Sequence, residues 1–205
     1  MLTINILTTF ITIFTIIDPF GLVPIFISVT RHLNKRERQK VVFISSLIAL
    51  PLLIFFLYFG KFLIHALGLS YESFYIAGGI LLFLVALDML FARPRGTKQD
   101  QEEETDSADV AVFPIAIPML AGPGTIASVI MFASHAKNNF DYLAILGCLI
   151  VSIGFAALAM YFSDNLIKVL RKTGLNVIDR LMGMILAAMA VQFIINALQS
   201  LGIIA

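Results

Sequence analysis

Charge, cysteine and tryptophan are what this 205-residue sequence has least of. Only 13% of its residues are charged, one is a cysteine, and none is a tryptophan. A soluble domain carries about 25% charged residues. Cys148 alone cannot form an intrachain disulfide, and a lone thiol inside an apolar block is no metal site. It reads as a small buried hydrophobe. The net charge of +1 comes with no basic stripe or aromatic-interleaved patch, so nucleic acid is not an expected partner. There is no GxxxxGK[ST] loop for direct ATP coupling, and no HExxH or GxSxG for hydrolysis. His32, His65 and His135 are scattered along the chain near span ends. No enzyme activity, catalytic residue, metal or cofactor is therefore expected. Nor does any lysine or arginine precede Arg31, so the first apolar block lacks the positive start of a secretory signal and is expected to stay in the mature protein.

What is present is apolar. Hydrophobic residues make up 60% of the chain, which is too much for one buried core. They fall in six blocks near Leu2–Thr30, Val41–Gly60, Ser73–Ala92, Val110–Ser134, Tyr142–Ser163 and Val177–Ile204. Each is close to the roughly 20 residues that a helix needs to cross a bilayer. The connections are short except for 93–109, RPRGTKQDQEEETDSAD, whose composition marks a solvated linker. The domain reading is thus 1–92, a charged linker 93–109, and 110–205, with three spans in each half. Lysine and arginine set the orientation. Twelve of them lie in the first loop (Arg31, Lys35, Arg36, Arg38, Lys40), the linker (Arg93, Arg95, Lys98) and the last loop with its exit (Lys168, Arg171, Lys172, Arg180). Lys61 and Lys137 lie in the other loops. Positive-inside bias places the larger group in the cytoplasm and both termini in the periplasm of an inner-membrane, multi-pass protein.

A shift of 104 residues superposes Pro19 on Pro123, Asn34 on Asn138, Gly79 on Gly183, Leu82 on Leu186 and Ala86 on Ala190. A duplicated unit of three spans must enter the membrane from the opposite side the second time. The expected fold is therefore an all-α membrane protein of six transmembrane helices, arranged as two inverted three-helix repeats. Inverted repeats of this kind are common among secondary transporters.

Helices 1 and 4 should be interrupted at midspan. In the first, Asp18-Pro19-Phe20-Gly21-Leu22-Val23-Pro24 places two prolines and an acid in an apolar helix. Proline removes a helix hydrogen bond, and the residue before it is pushed out of helical angles. The helix is expected to stop near Ile17 and restart with Asp18 as N-cap and Pro19 at the first helical position. In the fourth, Gly122 takes the cap position and Pro123 the first helical position, followed by Gly124 and Thr125. Restarted helices expose N–H donors and a positive dipole end, so an anionic group such as a substrate carboxylate can bind between them. Asp18, Pro19, Gly21, Pro24, Gly122, Pro123, Gly124 and Thr125 are the candidate substrate-binding residues. For Asp18 three roles stay open: binding a substrate ammonium, carrying a coupling proton, or capping the helix. Asp88 and Gln192 superpose under the same shift and are secondary polar candidates. Asp88 also lies five residues from Arg93 and can pair there. Gln192 and Asn196 share a helix face as interhelical glue.

These motifs, together with Asp179-Arg180-Leu181-Met182-Gly183-Met184-Ile185-Leu186, resemble the MarC family of bacterial inner-membrane proteins over essentially the whole chain. The family is similar to the lysine-exporter-type superfamily of small amino-acid transporters. The resemblance implies transport of a small metabolite, such as a small neutral amino acid. Coupling to a proton or sodium gradient across the lipid bilayer is expected with it. The alternative reading is a non-transporting accessory membrane protein.

Overall fold

The computed structural model describes residues 5–91 and 107–204, and every regular element among them is helical. The helices are α1 (Ile6–Ile17), α2 (Leu22–Val29), α3 (Lys35–Ala66), α4 (Tyr71–Leu90), the single turn α5 (Ser107–Val110), α6 (Pro123–His135), α7 (Asn139–Tyr161) and α8 (Ser163–Ser200). A loosened segment, Ala111–Leu120, joins α5 to α6. The charged linker lies almost wholly outside the described residues.

Large apolar side chains face outward, as in a chain solvated by lipid. Phe43, Phe62, Leu7 and Leu143 are each more than 60% exposed. A water-soluble monomer rarely leaves so much contiguous apolar surface uncovered. Five stretches are long and apolar enough to cross a membrane: Ile6–Val29 with its break, Lys35–Ala66, Tyr71–Leu90, Asn139–Tyr161 and Arg180–Ser200.

Two expectations need correction. The fourth block, Val110–Ser134, is not a single helix broken once, because its first half is itself irregular. Phe113 (φ −131°, ψ 124°) and Ile117 (φ −129°, ψ 121°) are both extended. Each precedes a proline, Pro114 or Pro118, whose ring excludes the helical region for the residue before it. The last loop is also helical. Only Phe162 separates α7 from α8, and α8 runs through 164–176 into the final span. Lysine and arginine are good helix formers, and no proline interrupts this stretch.

Sequence-local capping explains where the long helices begin. Asn34 accepts from the backbone N–H of Arg36 and Glu37, and the Glu37 carboxylate accepts from Asn34 N–H at 2.7 Å. This reciprocal capping box starts α3. At the start of α7, Asn138 accepts from Asp141 N–H at 3.0 Å, and Asp141 accepts from Lys137 N–H. Glu37 and Asp141 stand at the same 104-residue offset as the two asparagines.

The most extensive packing joins α4 to α8. A Cβ built on Gly79 would lie 2.8 Å from the Ala190 carbonyl oxygen and 2.8 Å from Ile194. One built on Gly183 would lie 3.2 Å from the Ala86 carbonyl oxygen and 3.3 Å from Leu90 N. The two helices therefore run antiparallel with their backbones in contact at two points. Leu82, Ala86, Leu186 and Ala190 are buried between them. The second core gathers α1, α3, α6 and α7 around Ile13, Leu53, Leu57, Val129, Ile145 and Leu149.

Candidate functional site

The first interruption centres on Asp18. The helix α1 ends at Ile17, and Asp18 closes it in the left-handed region at φ 50°, ψ 68°. Aspartate tolerates that conformation better than most residues because its short side chain can bond locally. Here Asp18 Oδ1 accepts from Gly21 N–H at 3.1 Å, and the Asp18 carbonyl accepts from Leu22 N–H at 3.1 Å. The carboxylate makes the contact expected of an N-cap, but the residue itself is the C-cap of α1. The restart is correspondingly later than expected. It falls at Leu22 after Pro19-Phe20-Gly21 has turned, rather than at Pro19. Asp18, Pro19 and Gly21 are buried, whereas Pro24 faces outward from the first turn of α2.

The second interruption follows the expected geometry at its far side. Gly122 is extended (φ −80°, ψ 169°) at the N-cap of α6, and Pro123 occupies the first helical position. Gly122 brings no side-chain acceptor to the first-turn N–H groups. Gly124 and Thr125 are buried, and Pro123 is exposed.

The fold brings the two interruptions together. A Cβ on Gly124 would meet Leu82 Cδ2 at 2.5 Å and Ile16 Cγ2 at 3.7 Å. Ile16 sits two residues before Asp18. The α4 helix also crosses this junction closely, since a Cβ on Gly78 would come within 2.8 Å of Ala127 Cβ. At Gly78 the opposing atom is a Cβ fixed to its backbone, so a side chain there forces the helices apart, whereas at Gly124 the close atoms are the ends of the Leu82 and Ile16 side chains.

Polar groups line the surrounding core. Thr9, Thr12, Thr15 and Asp18 are all buried at three-residue spacing along α1. Thr9 donates to the Asn5 carbonyl and Thr12 to the Thr8 carbonyl. On α6, Thr125 and Ser128 are buried, and Ser128 donates to the Gly124 carbonyl at 2.9 Å. On α7, Ser152 Oγ is buried with no hydrogen-bond partner among the described residues. The sequence reading missed the threonine stripe and Ser152. The signal for the stripe was the period of three threonines ending on the acid.

The secondary candidates lie elsewhere. Asp88 is half-buried on α4, six residues or about 9 Å past Leu82. Its postulated partner Arg93 is outside the described residues. Gln192 is exposed, and its Nε2 donates to Asn196 Oδ1 at 2.7 Å within α8. That bond runs along one helix rather than between helices, so the expected interhelical role is corrected.

An integral membrane protein with two interrupted helices meeting in its interior is the class defined by these features. The chain belongs to the MarC family: the match to the MarC family integral membrane proteins spans residues 3–201. It is 34% identical over 192 residues to a UPF0056 membrane protein of Methanocaldococcus jannaschii, covering 93% of this chain and 94% of that one. It is 33% identical over 199 residues to the UPF0056 membrane protein YhcE of Escherichia coli, with 94% and 91% covered. A UPF0056 membrane protein of Pyrococcus abyssi is 36% identical over 191 residues, with 93% and 92% covered. No solved structure matches.

Proposed function

We propose that the protein is a secondary transporter of a small metabolite, with small neutral amino acids as the substrate class. It is built as two inverted repeats of three spans in the bacterial inner membrane, with both termini periplasmic. The observation that carries the reading is the meeting of two interrupted spans at Ile16 and Gly124, beside a buried aspartate. Irregular backbone at membrane depth persists only where protein or a water-filled cavity satisfies it. Paired interruptions in corresponding positions point to a substrate site.

The inverted arrangement draws support from reciprocity in the α4–α8 seam. Gly79 abuts Ala190 while Gly183 abuts Ala86, and both residue types recur at the 104-residue offset. Contacts in which i meets j and j meets i are the mark of a two-fold axis. In this reading the substrate carboxylate meets the first-turn N–H groups of α6 at Gly124 and Thr125. Asp18 faces the ammonium group or a coupling proton or sodium ion. Rocking of one repeat against the other changes the open side.

One observation favours the accessory reading instead: Leu82 and Ile16 close over Gly124 and leave the junction packed. Counterflow in proteoliposomes separates the two. A transporter will exchange labelled alanine or glycine saturably, and Gly124→Leu will abolish that exchange. An accessory protein will show no exchange across an amino-acid panel under either a proton or a sodium gradient.

A further inference from the structure

Between Lys40 and Lys61, α3 carries no charged residue. That interval, 41–60, spans about 30 Å at 1.5 Å per residue, the thickness of a bilayer's hydrocarbon core. The two lysines therefore mark its two boundaries with the headgroups, and Arg36 lies about one turn outside Lys40.

The two boundaries differ in what their cations already hold. Lys61 donates to the Ala136 carbonyl at 3.2 Å and lies over the Tyr142 ring. At the other boundary Arg38 donates to the Thr30 carbonyl and to Asp164, each at 3.1 Å. Arg36 and Lys40 are exposed, and their side chains have no partner among the described residues. The acids beside them are engaged: Glu37 accepts from Asn34 N–H, and Asp164 accepts from Arg38.

These two cations head an outward stripe. Arg36, Lys40, Phe43 and Leu47 follow one another at steps of four, three and four residues, which sets them on one helix face. Phe43 and Leu47 are both more than half exposed. Next to the stripe, Gln39 Nε2 donates to the Tyr161 hydroxyl at 3.2 Å, and Tyr161 and Phe162 are exposed. Such aromatic side chains belong at headgroup level. Cations at that level, running directly into bare apolar side chains below, fit a molecule with a negative head and a hydrocarbon tail.

We propose that the Arg36–Leu47 face of α3 is a binding site for an anionic phospholipid. The phosphate sits between the Arg36 guanidinium and the Lys40 ammonium, and an acyl chain lies along Phe43 and Leu47. A zwitterionic lipid brings its own cation to the same place and is held less well. Binding here rests on the membrane assignment and not on transport.

The test uses the full-length protein in vesicles. The chain has no tryptophan, so Phe43→Trp supplies a single reporter at the site, and Phe62→Trp supplies one at the opposite end of α3. The vesicles contain phosphatidylcholine and phosphatidylglycerol, with one or the other brominated in its acyl chains, so that quenching reports which lipid touches the indole. At Phe43→Trp phosphatidylglycerol should be preferred about fivefold or more. At Phe62→Trp the two lipids should quench almost equally. Adding Arg36→Gln with Lys40→Gln should bring the Phe43→Trp preference down to the Phe62→Trp level, whereas Arg36→Lys with Lys40→Arg should keep it. Unchanged quenching at Phe62→Trp shows that the neutralised chain is inserted and folded, and the two single substitutions are read in its place if it changes. Equal preference at both reporters, a preference that outlives neutralisation, or no preference at Phe43→Trp, as when the acidic linker holds these cations instead, overturns the proposal.

Discussion

The two interrupted spans reach a similar outcome by different chemistry. At the first, one residue does most of the work. Asp18 ends α1 in a left-handed conformation, and its own carboxylate and carbonyl satisfy the N–H groups of Gly21 and Leu22. At the second, three prolines within ten residues loosen the chain from Phe113 onward, and Gly122 starts α6 without a side-chain acceptor. The first interruption is therefore self-capped, and the second presents its helix start to whatever lies opposite. The lesson is a division of labour. In the transport reading proposed above, a ligand anion would gain most from the uncapped start.

The largest effect expected is at the uncapped break. Gly124→Leu places a branched side chain where even a Cβ would sit 2.5 Å from Leu82. Counterflow should fall to background, and overpacking should cost about 1–3 kcal/mol of stability, read as a lower thermal midpoint in detergent. Gly124→Ala should retain much of the activity, because the atom it meets is the end of a flexible leucine. If both variants transport like the parent, the uncapped start is not where substrate binds.

Next come the two ends of the α4–α8 seam. Gly79→Ala should destabilise more than Gly183→Ala. The first Cβ meets a carbonyl oxygen at 2.8 Å, whereas the second meets its carbonyl at 3.2 Å and Met89 Cβ at 2.9 Å. The expected costs are about 1–3 kcal/mol for either variant. Thermal midpoints in the opposite order would mean that the seam relaxes unevenly.

The self-capped break separates structure from function through a pair of substitutions. Asp18→Ala removes the Gly21 bond and places a residue with no local acceptor in the left-handed region, for about 1–2 kcal/mol. Asp18→Asn keeps both the conformation and the acceptor, so the thermal midpoint should stay nearly unchanged. Loss of counterflow in Asp18→Asn at unchanged stability would assign the charge a role in transport. Retained counterflow would leave Asp18 a cap.

The smallest effect concerns the clasp at the far end. Arg38 donates to Asp164 at 3.1 Å, and the aspartate side chain is 62% exposed. Asp164→Asn should change stability by less than about 1 kcal/mol, since exposed ion pairs contribute little. A larger loss would show that this contact ties α3 to the start of α8 more firmly than its exposure suggests.

The membrane-spanning character, the helical class, the break after Ile17 and the Gly122-Pro123 restart were all legible in residues 1–205 as written. Each depends on local chemistry: apolar run length, the missing proline N–H, the steric exclusion before proline, and caps such as Asn34 and Asn138. The extended Phe113 was legible by the same rule, but Pro114 went unweighed beside the more conspicuous glycines. The delay of the second helix from Pro19 to Leu22 was not legible. It depends on Asp18 closing α1 in the left-handed region while its carboxylate accepts from Gly21 N–H.

What only the tertiary structure decided is which surfaces meet. That Gly79 faces Ala190, that Ile16 and Leu82 close on Gly124, and that Tyr75 stacks on His135 all follow from how antiparallel helices dock. Docking is set by the summed fit of many weakly directional contacts between residues far apart in the chain. An apolar helix reads much the same on every face until a partner selects one. The sequence by itself could therefore settle where the chain spans and where it breaks, but not what stands opposite each break.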